Sequence, residues 1–120
     1  MESGIRVSDE AVNKYNLMKL KKVKTNYMVL KITGEHVNVE NEGEGGVDDL
    51  LAVLPTKECA FVVFDKGQVL VLFMYAPAGA TTQSRTVYST TKQTVENALT
   101  GVKLYRNLVE DHDEVKDAVK

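Results

Sequence analysis

The chain carries a single cysteine, Cys59, among its 120 residues. No intrachain disulfide can form, so stability must come from an ordinary core, and a reducing compartment is the natural setting. No apolar run is long enough to span a bilayer. The opening "MESGIRVSDE" lacks the apolar centre of a secretory leader, so a cytoplasmic protein is expected. An excess of one charge is also missing. Against 17 acidic residues stand 15 basic ones, a balance that gives no reason to expect nucleic acid as a partner. Catalytic material is scarce too. His36 and His112 have no sequence neighbour that would build a triad, and both are expected at the surface. Cys59 precedes an apolar run and reads as a buried thiol rather than a nucleophile. The cluster "EDHDE" (Glu110–Glu114) lacks the spacing and glycine of a calcium loop and reads as the acidic start of a helix. "GEGG" lacks the basic residue of a phosphate cradle. These absences tilt the reading from an enzyme towards a binding module without metal or cofactor.

What is present suffices for one domain over residues 1–120, expected to be a monomer. A composition of 43% hydrophobic and 27% charged residues is that of a globular protein, and a chain of this length buries roughly two-thirds of its unfolded surface. "VSDEAVNKYNLM" predicts a helix capped by Ser8, with Asp9 and Glu10 in its first turn and Ala11, Val12, Tyr15 and Met18 on its inner face. "KLKKVK" (Lys19–Lys24) is a basic stretch after it, suited to a solvated loop or to acidic headgroups or an acidic partner. "YMVLKIT" predicts a strand and "HVNVE" a half-exposed one, joined by a tight turn at Gly34–Glu35. "NEGEGG" (Asn41–Gly46) is expected to be a loop, and "VDDLLAVL" a short helix ending before Pro55. "CAFVVF" and "QVLVLFMY" are strands apolar on both faces, which requires helices on both sides of the sheet. "VKLYRNLV" is expected to hold a short strand, and "DHDEVKDAVK" a last short helix.

The polar run "QSRTVYSTTK" (Gln83–Lys92) falls on a longer helix that Gly101 stops. Thr81, Thr82 or Ser84 could cap it. Val87, Tyr88, Thr91, Val95, Ala98 and Leu99 recur at inner-face offsets, and Arg85, Ser89, Lys92 and Glu96 fall together on the other face. A charged helix face is often only solvated. The fold class expected is α/β, a mixed sheet flanked by helices on both faces.

Four stretches taken in order resemble the actin-depolymerising factor/cofilin family and cover nearly the whole chain. "SGIRVSDEAVNKYNLMKLKK" is similar to the family's N-terminal segment and first helix. "LPTKECAFVVFD" is similar to its Leu-Pro-x-Lys-Asp-Cys strand entry, and "YAPAGATTQSRTVYSTTK" to its Trp-x-Pro and Lys-Met-x-Tyr-Ala-Ser-Ser-Lys region. "LTGVK" followed by "DEVKDAV" completes the set. The resemblance implies the same sheet-and-helix fold and a partner, actin. Members favour its ADP-bound form and speed filament turnover in the cytoplasmic actin cytoskeleton. They use two surfaces, one for monomers and filaments alike and one for filaments only. The first would be Ser3, Gly4, Ile5 and Arg6 with Gln83, Ser84, Arg85, Thr86, Ser89 and Lys92. The second would be Lys66 and Lys116. Ser3 falls on the family's regulatory phosphorylation segment, although Glu2 replaces the usual alanine.

The departures carry their own expectations. Gln83 stands where the family has a basic residue, Thr86 where it has methionine, and Tyr75 where it has tryptophan. The "DKG" connection is short where the family projects a charged loop. With the early stop after "EVKD" and the "SGIRV" start, it resembles the small apicomplexan members, which act mainly on monomers. Monomeric actin is therefore the expected partner, with weak filament side-binding. The competing readings are a conventional severing cofilin and a phosphoinositide- or protein-binding module of the same fold. Arg85 is expected to be an outward contact whose removal leaves stability intact.

Overall fold

The computed structural model describes residues 5–54, 57–67, 69–105 and 109–119. Six strands form one mixed sheet in the order β1-β3-β2-β4-β5-β6. They are β1 (Arg6–Val7), β2 (Tyr27–Thr33), β3 (His36–Gly43), β4 (Ala60–Asp65), β5 (Leu70–Tyr75) and β6 (Lys103–Leu104). The inner pairs are antiparallel, while β1 on β3 and β6 on β5 are parallel.

Period-two alternation sorts the apolar side chains to two faces. Met28, Leu30, Phe61, Val63, Leu72 and Met74 point to one, where α1 (Asp9–Lys19) and α3 (Thr82–Ala98) cover them with Ala11, Tyr15, Met18, Tyr88, Val95 and Leu99. Tyr27, Val29, Val62, Phe73 and Tyr75 point to the other, under α2 (Val47–Val53) and α4 (His112–Ala118), which supply Leu50, Val115 and Ala118. The unbroken apolar runs of β4 and β5 follow from this double cover. Cys59 is buried, and both histidines are exposed.

One of these expectations needs correction. Asn41–Gly43 continue β3 rather than forming a loop: after a register shift between Val29 and Leu30 they pair with Val29, Met28 and Tyr27. Gly43 permits this, because a Cβ there would stand 2.3 Å from the Tyr27 hydroxyl. Arg6 and Val7 are a pair too short to read as a strand from the sequence. They nevertheless pair with His36 and Val37, and the Arg6 N–H donates to the Glu35 carbonyl at 3.0 Å.

The ends of α1 are well determined. Ser8 Oγ accepts from the Ala11 N–H at 3.1 Å, as its position predicts. At the other end Lys22 N–H donates to Leu17 O and Lys21 N–H to Met18 O, with Lys21 at φ 59°. This is the paired 6→1 and 5→2 bonding that normally has glycine at its left-handed position. Lys21 occupies it instead, and its ammonium pairs with the nearly buried Asp65 carboxylate.

α1 and α3 meet at one atom. The Tyr15 hydroxyl and the Lys19 ammonium both donate to the Thr100 carbonyl, at 3.0 and 2.8 Å. Gly101, next in the chain, has φ 86°, and a Cβ there would meet Lys19 Nζ at 2.8 Å. Burial pushes the Tyr15 phenol from 10.0 up to about 12. A phenol whose pKa is raised on folding stabilises fully below its unfolded pKa and loses that contribution as pH climbs to the folded value. Stability is therefore expected to fall between pH 10 and 12 by about 2–3 kcal/mol on account of this group. Urea unfolding across that range checks it: Tyr15→Phe should flatten the decline, and an equally steep decline would show that Tyr15 is not its source.

Candidate functional site

Thr81 begins α3 as its cap, its Oγ1 accepting from the Ser84 N–H at 3.1 Å. Tyr88, Thr91, Val95 and Leu99 are buried as the spacing predicts, while Val87 and Ala98 are half-buried. Tyr88 locks the helix to the sheet. Its ring lies 5.1 Å from Phe61, tilted by 36°, and its hydroxyl accepts from the Ile32 N–H at 3.0 Å. β2 needs that acceptor because its pairing with β4 ends at Leu30↔Phe61. Burial raises the Tyr88 phenol above its usual range.

Arg85, Ser89, Lys92 and Glu96 do share a stripe, but it runs along the flank of α3 beside β5 rather than opposite the core. Arg85, Lys92 and Glu96 are half-buried there, and Ser89 Oγ reaches Met74 Sδ at 3.6 Å. The outermost face is Gln83, Thr86, Thr90, Gln93 and Asn97, all exposed. Gln93 Nε2 donates to Glu96 Oε1 and to Asn97 Oδ1. The hydroxyls of Thr86, Thr90 and Thr91 are turned inward onto the carbonyls of Thr82 and Val87. A run that looks like a row of donors thus offers fewer of them than its sequence suggests.

Arg85 is not the free outward contact expected. Its guanidinium donates to the Pro77 carbonyl at 2.9 Å and the Ala76 carbonyl at 3.4 Å, and pairs with Glu110 at 3.4 Å. It closes the segment between β5 and α3 against the segment before α4. Glu110 could not be matched to it from the sequence, since 25 positions separate them. Lys92, by contrast, makes no hydrogen bond or ion pair among the described residues. It is the available cation of the stripe.

At the N-terminal segment, Ser3 and Gly4 lie outside the described residues. Ile5 packs half-buried on the α1/α3 side of the core, and Arg6 is exposed on the edge strand. Both belong to the end of the sheet where α1 begins.

Lys66 and Lys116, from the turn after β4 and from α4, are both exposed. The turn is held down. Lys66 N–H donates to Val69 O at 2.9 Å, Gly67 N–H donates to the Asp65 carboxylate at 2.7 Å, and that carboxylate is the one Lys21 pairs with. Beside it a cavity of about 170 Å³ brings Lys66 together with Lys103 and Tyr105 and with the Asp117–Ala118 end of α4. Lys103 was not singled out in the sequence. Asp111 caps α4 by accepting from the Glu114 N–H at 2.8 Å, so the acidic cluster does start a helix. Among the described residues no group of side chains could hold a metal, and no helix is long and apolar enough to cross a membrane.

A family model for cofilin/tropomyosin-type actin-binding proteins matches residues 4–119. An actin-depolymerizing factor of Toxoplasma gondii is 29% identical over 101 residues, covering 84% of this chain and 85% of that protein. A cofilin/actin-depolymerizing factor homolog 1 of Plasmodium falciparum is 28% identical over 121 residues, covering 98% of each. The crystal structure of Streptomyces griseoflavus cofilin superposes with a TM-score of 0.83 at 26% identity, covering 98% of this chain and all of that one.

Proposed function

From the premise that the chain belongs to the cofilin/tropomyosin-type family of actin-binding proteins, we propose that it binds ADP-actin monomers in preference to filaments. On this reading residues 1–120 are one domain that acts by binding, not by catalysis, and promotes filament disassembly in the cytoplasm. The monomer contact is made by the segment Ser3–Arg6 and by the Gln83, Ser84, Arg85, Thr86, Ser89 and Lys92 stretch of α3. Lys92 carries the charge contact to an acidic surface, and Arg85 contributes by shaping the segment before the helix.

The observation that carries the preference is the turn after β4. A protein that grips the side of a filament must reach a second subunit. Here the turn is tied to the body through Asp65, with Lys21 on one side and the Gly67 N–H on the other. Lys66 and Lys116 remain as a reduced second surface. In a pelleting assay the protein is expected to stay in the supernatant and to raise the unpolymerised actin fraction. Stoichiometric co-pelleting with stable filaments would overturn this and favour a conventional severing protein.

Ser3 is proposed as a switch. A phosphate adds about −1.5 to −2 charge units, three positions before Arg6 in the chain, against an acidic partner. Ser3→Glu should bind actin monomers several-fold more weakly than the parent in a fluorescence titration. Equal affinities would remove Ser3 from the interface.

A further inference from the structure

We propose that Lys21 and Asp65 are the residues that set the preference for monomers over filaments, a role that rests on the actin binding proposed for this chain. They act without touching actin, by fixing the turn after β4. Among the described residues Lys21, at φ 59°, is the one non-glycine residue in the left-handed region. A Cβ is disfavoured there, and glycine is the usual choice at this point of a helix end. If the position served only to end α1, glycine would serve it better. What lysine adds is an ammonium that reaches Asp65. A backbone held in an unfavourable region for the sake of one side-chain contact points to a use for that contact.

Asp65 is the last residue of β4, and its main chain is well secured. It pairs with Leu70 of β5. Its N–H donates to the Asn26 carbonyl at 2.8 Å, and the Asn26 N–H donates in turn to the Gly43 carbonyl at 2.7 Å. The turn beyond it is held by less. Gly67 N–H donates to the Asp65 carboxylate at 2.7 Å, and Lys66 N–H to Val69 O at 2.9 Å. The Asp65 side chain is only 7% exposed, so its charge depends on the Lys21 ammonium. A nearly buried carboxylate that loses its cation is driven towards water. Turning outward, it gives up the Gly67 N–H, and Lys66 goes free with the turn.

A cavity of about 170 Å³ beside the turn brings Lys19 together with Lys21, Asp65 and Gly67. Lys19 does not replace Lys21, because its ammonium is committed to the Thr100 carbonyl at 2.8 Å. Nor does packing hold the turn once the carboxylate lets go, since a Cβ at Gly67 would meet nothing within 4 Å. The end of α1 thus governs how far the turn, and Lys66 on it, can reach towards a second actin subunit.

Amide hydrogen exchange of the full chain tests the tie without actin, and filament pelleting tests what the tie does. In Lys21→Gly the Gly67 amide should exchange at least about tenfold faster, while the amides of Val62 and Phe73 in the core strands keep their parental rates. Co-pelleting with filaments should rise about fivefold, with monomer affinity unchanged. Removing a lysine weakens attraction to an acidic surface, so a rise does not come from the charge itself. Lys21→Gln keeps a side chain on the left-handed backbone but no cation, and should act as Lys21→Gly does. Lys21→Arg should keep the parental exchange and pelleting. Lys22→Ala loses the same charge one position on, and should neither speed Gly67 nor raise pelleting. Parental exchange at Gly67 in both Lys21→Gly and Lys21→Gln would overturn the proposal. So would equal acceleration at Gly67, Val62 and Phe73, which marks a general loss of stability, or a faster Gly67 without more pelleting. Stoichiometric co-pelleting of the parent chain would instead sink the monomer reading, and with it the role given to the pair, whatever the exchange rates.

Discussion

Lys92→Glu is expected to weaken binding to actin monomers about a hundredfold, a cost of about 2.7 kcal/mol, while shifting stability by no more than about 0.5 kcal/mol. The binding loss is large because reversing a charge at an interface replaces attraction by repulsion instead of merely removing a contact. The stability change is small because Lys92 has no partner to lose among the described residues; Glu96, one turn on, would be a neighbour of like sign. Arg85→Ala should behave differently. It removes two donors to backbone carbonyls and the pairing with Glu110, at a partly exposed site where such bonds are worth about 1 kcal/mol in total. Affinity should fall about tenfold, a cost of about 1.4 kcal/mol, because the segment entering α3 loses its anchor. A fluorescence titration with labelled actin, paired with urea unfolding of each variant, separates the two. If Lys92→Glu binds normally, the stripe beside β5 is not the contact surface.

Tyr88→Ala should be the most damaging single substitution in α3, at about 3–5 kcal/mol. The side chain is 8% exposed and stacks obliquely on Phe61, so truncation leaves a cavity between helix and sheet. Tyr88→Phe should cost about 1–2 kcal/mol, because it keeps the ring and deprives the Ile32 N–H of its acceptor. Chemical denaturation of both variants distinguishes ring packing from the hydrogen bond. Parental stability in Tyr88→Phe would show that the Ile32 N–H does not depend on the phenol.

Local signals made most of the elements readable. Ser8, Thr81 and Asp111 sit where side-chain caps are needed, and each accepts the expected N–H. Gly34 and Gly101 adopt the positive φ that their turn and helix end require. The runs of β4 and β5, apolar on both faces, foretold helices above and below. What escaped depends on partners distant in the chain. Arg6 and Val7 become a strand only because β3 offers an edge. Asn41 and Glu42 join a strand only because Tyr27 needs a glycine to cover at Gly43. Helical periodicity placed Arg85, Ser89, Lys92 and Glu96 on one line, yet it could not say that the line borders β5, because that depends on which way the helix is rolled on the sheet. The inward turn of Arg85 depended on Glu110, which no spacing rule connects to it.

The shared acceptor at Thr100 makes the joint between α1 and α3 unequal in its vulnerability to change. The donors are side chains, Tyr15 and Lys19, both on α1. The acceptor is a main-chain carbonyl, which every amino acid supplies. A substitution at position 100 leaves that oxygen in place, whereas one at 15 or 19 removes half of the connection, and a side chain at Gly101 would crowd the Lys19 ammonium. The seating of α3 at this end is thus encoded in α1, so drift in a helix outside the proposed actin contact can alter the helix within it.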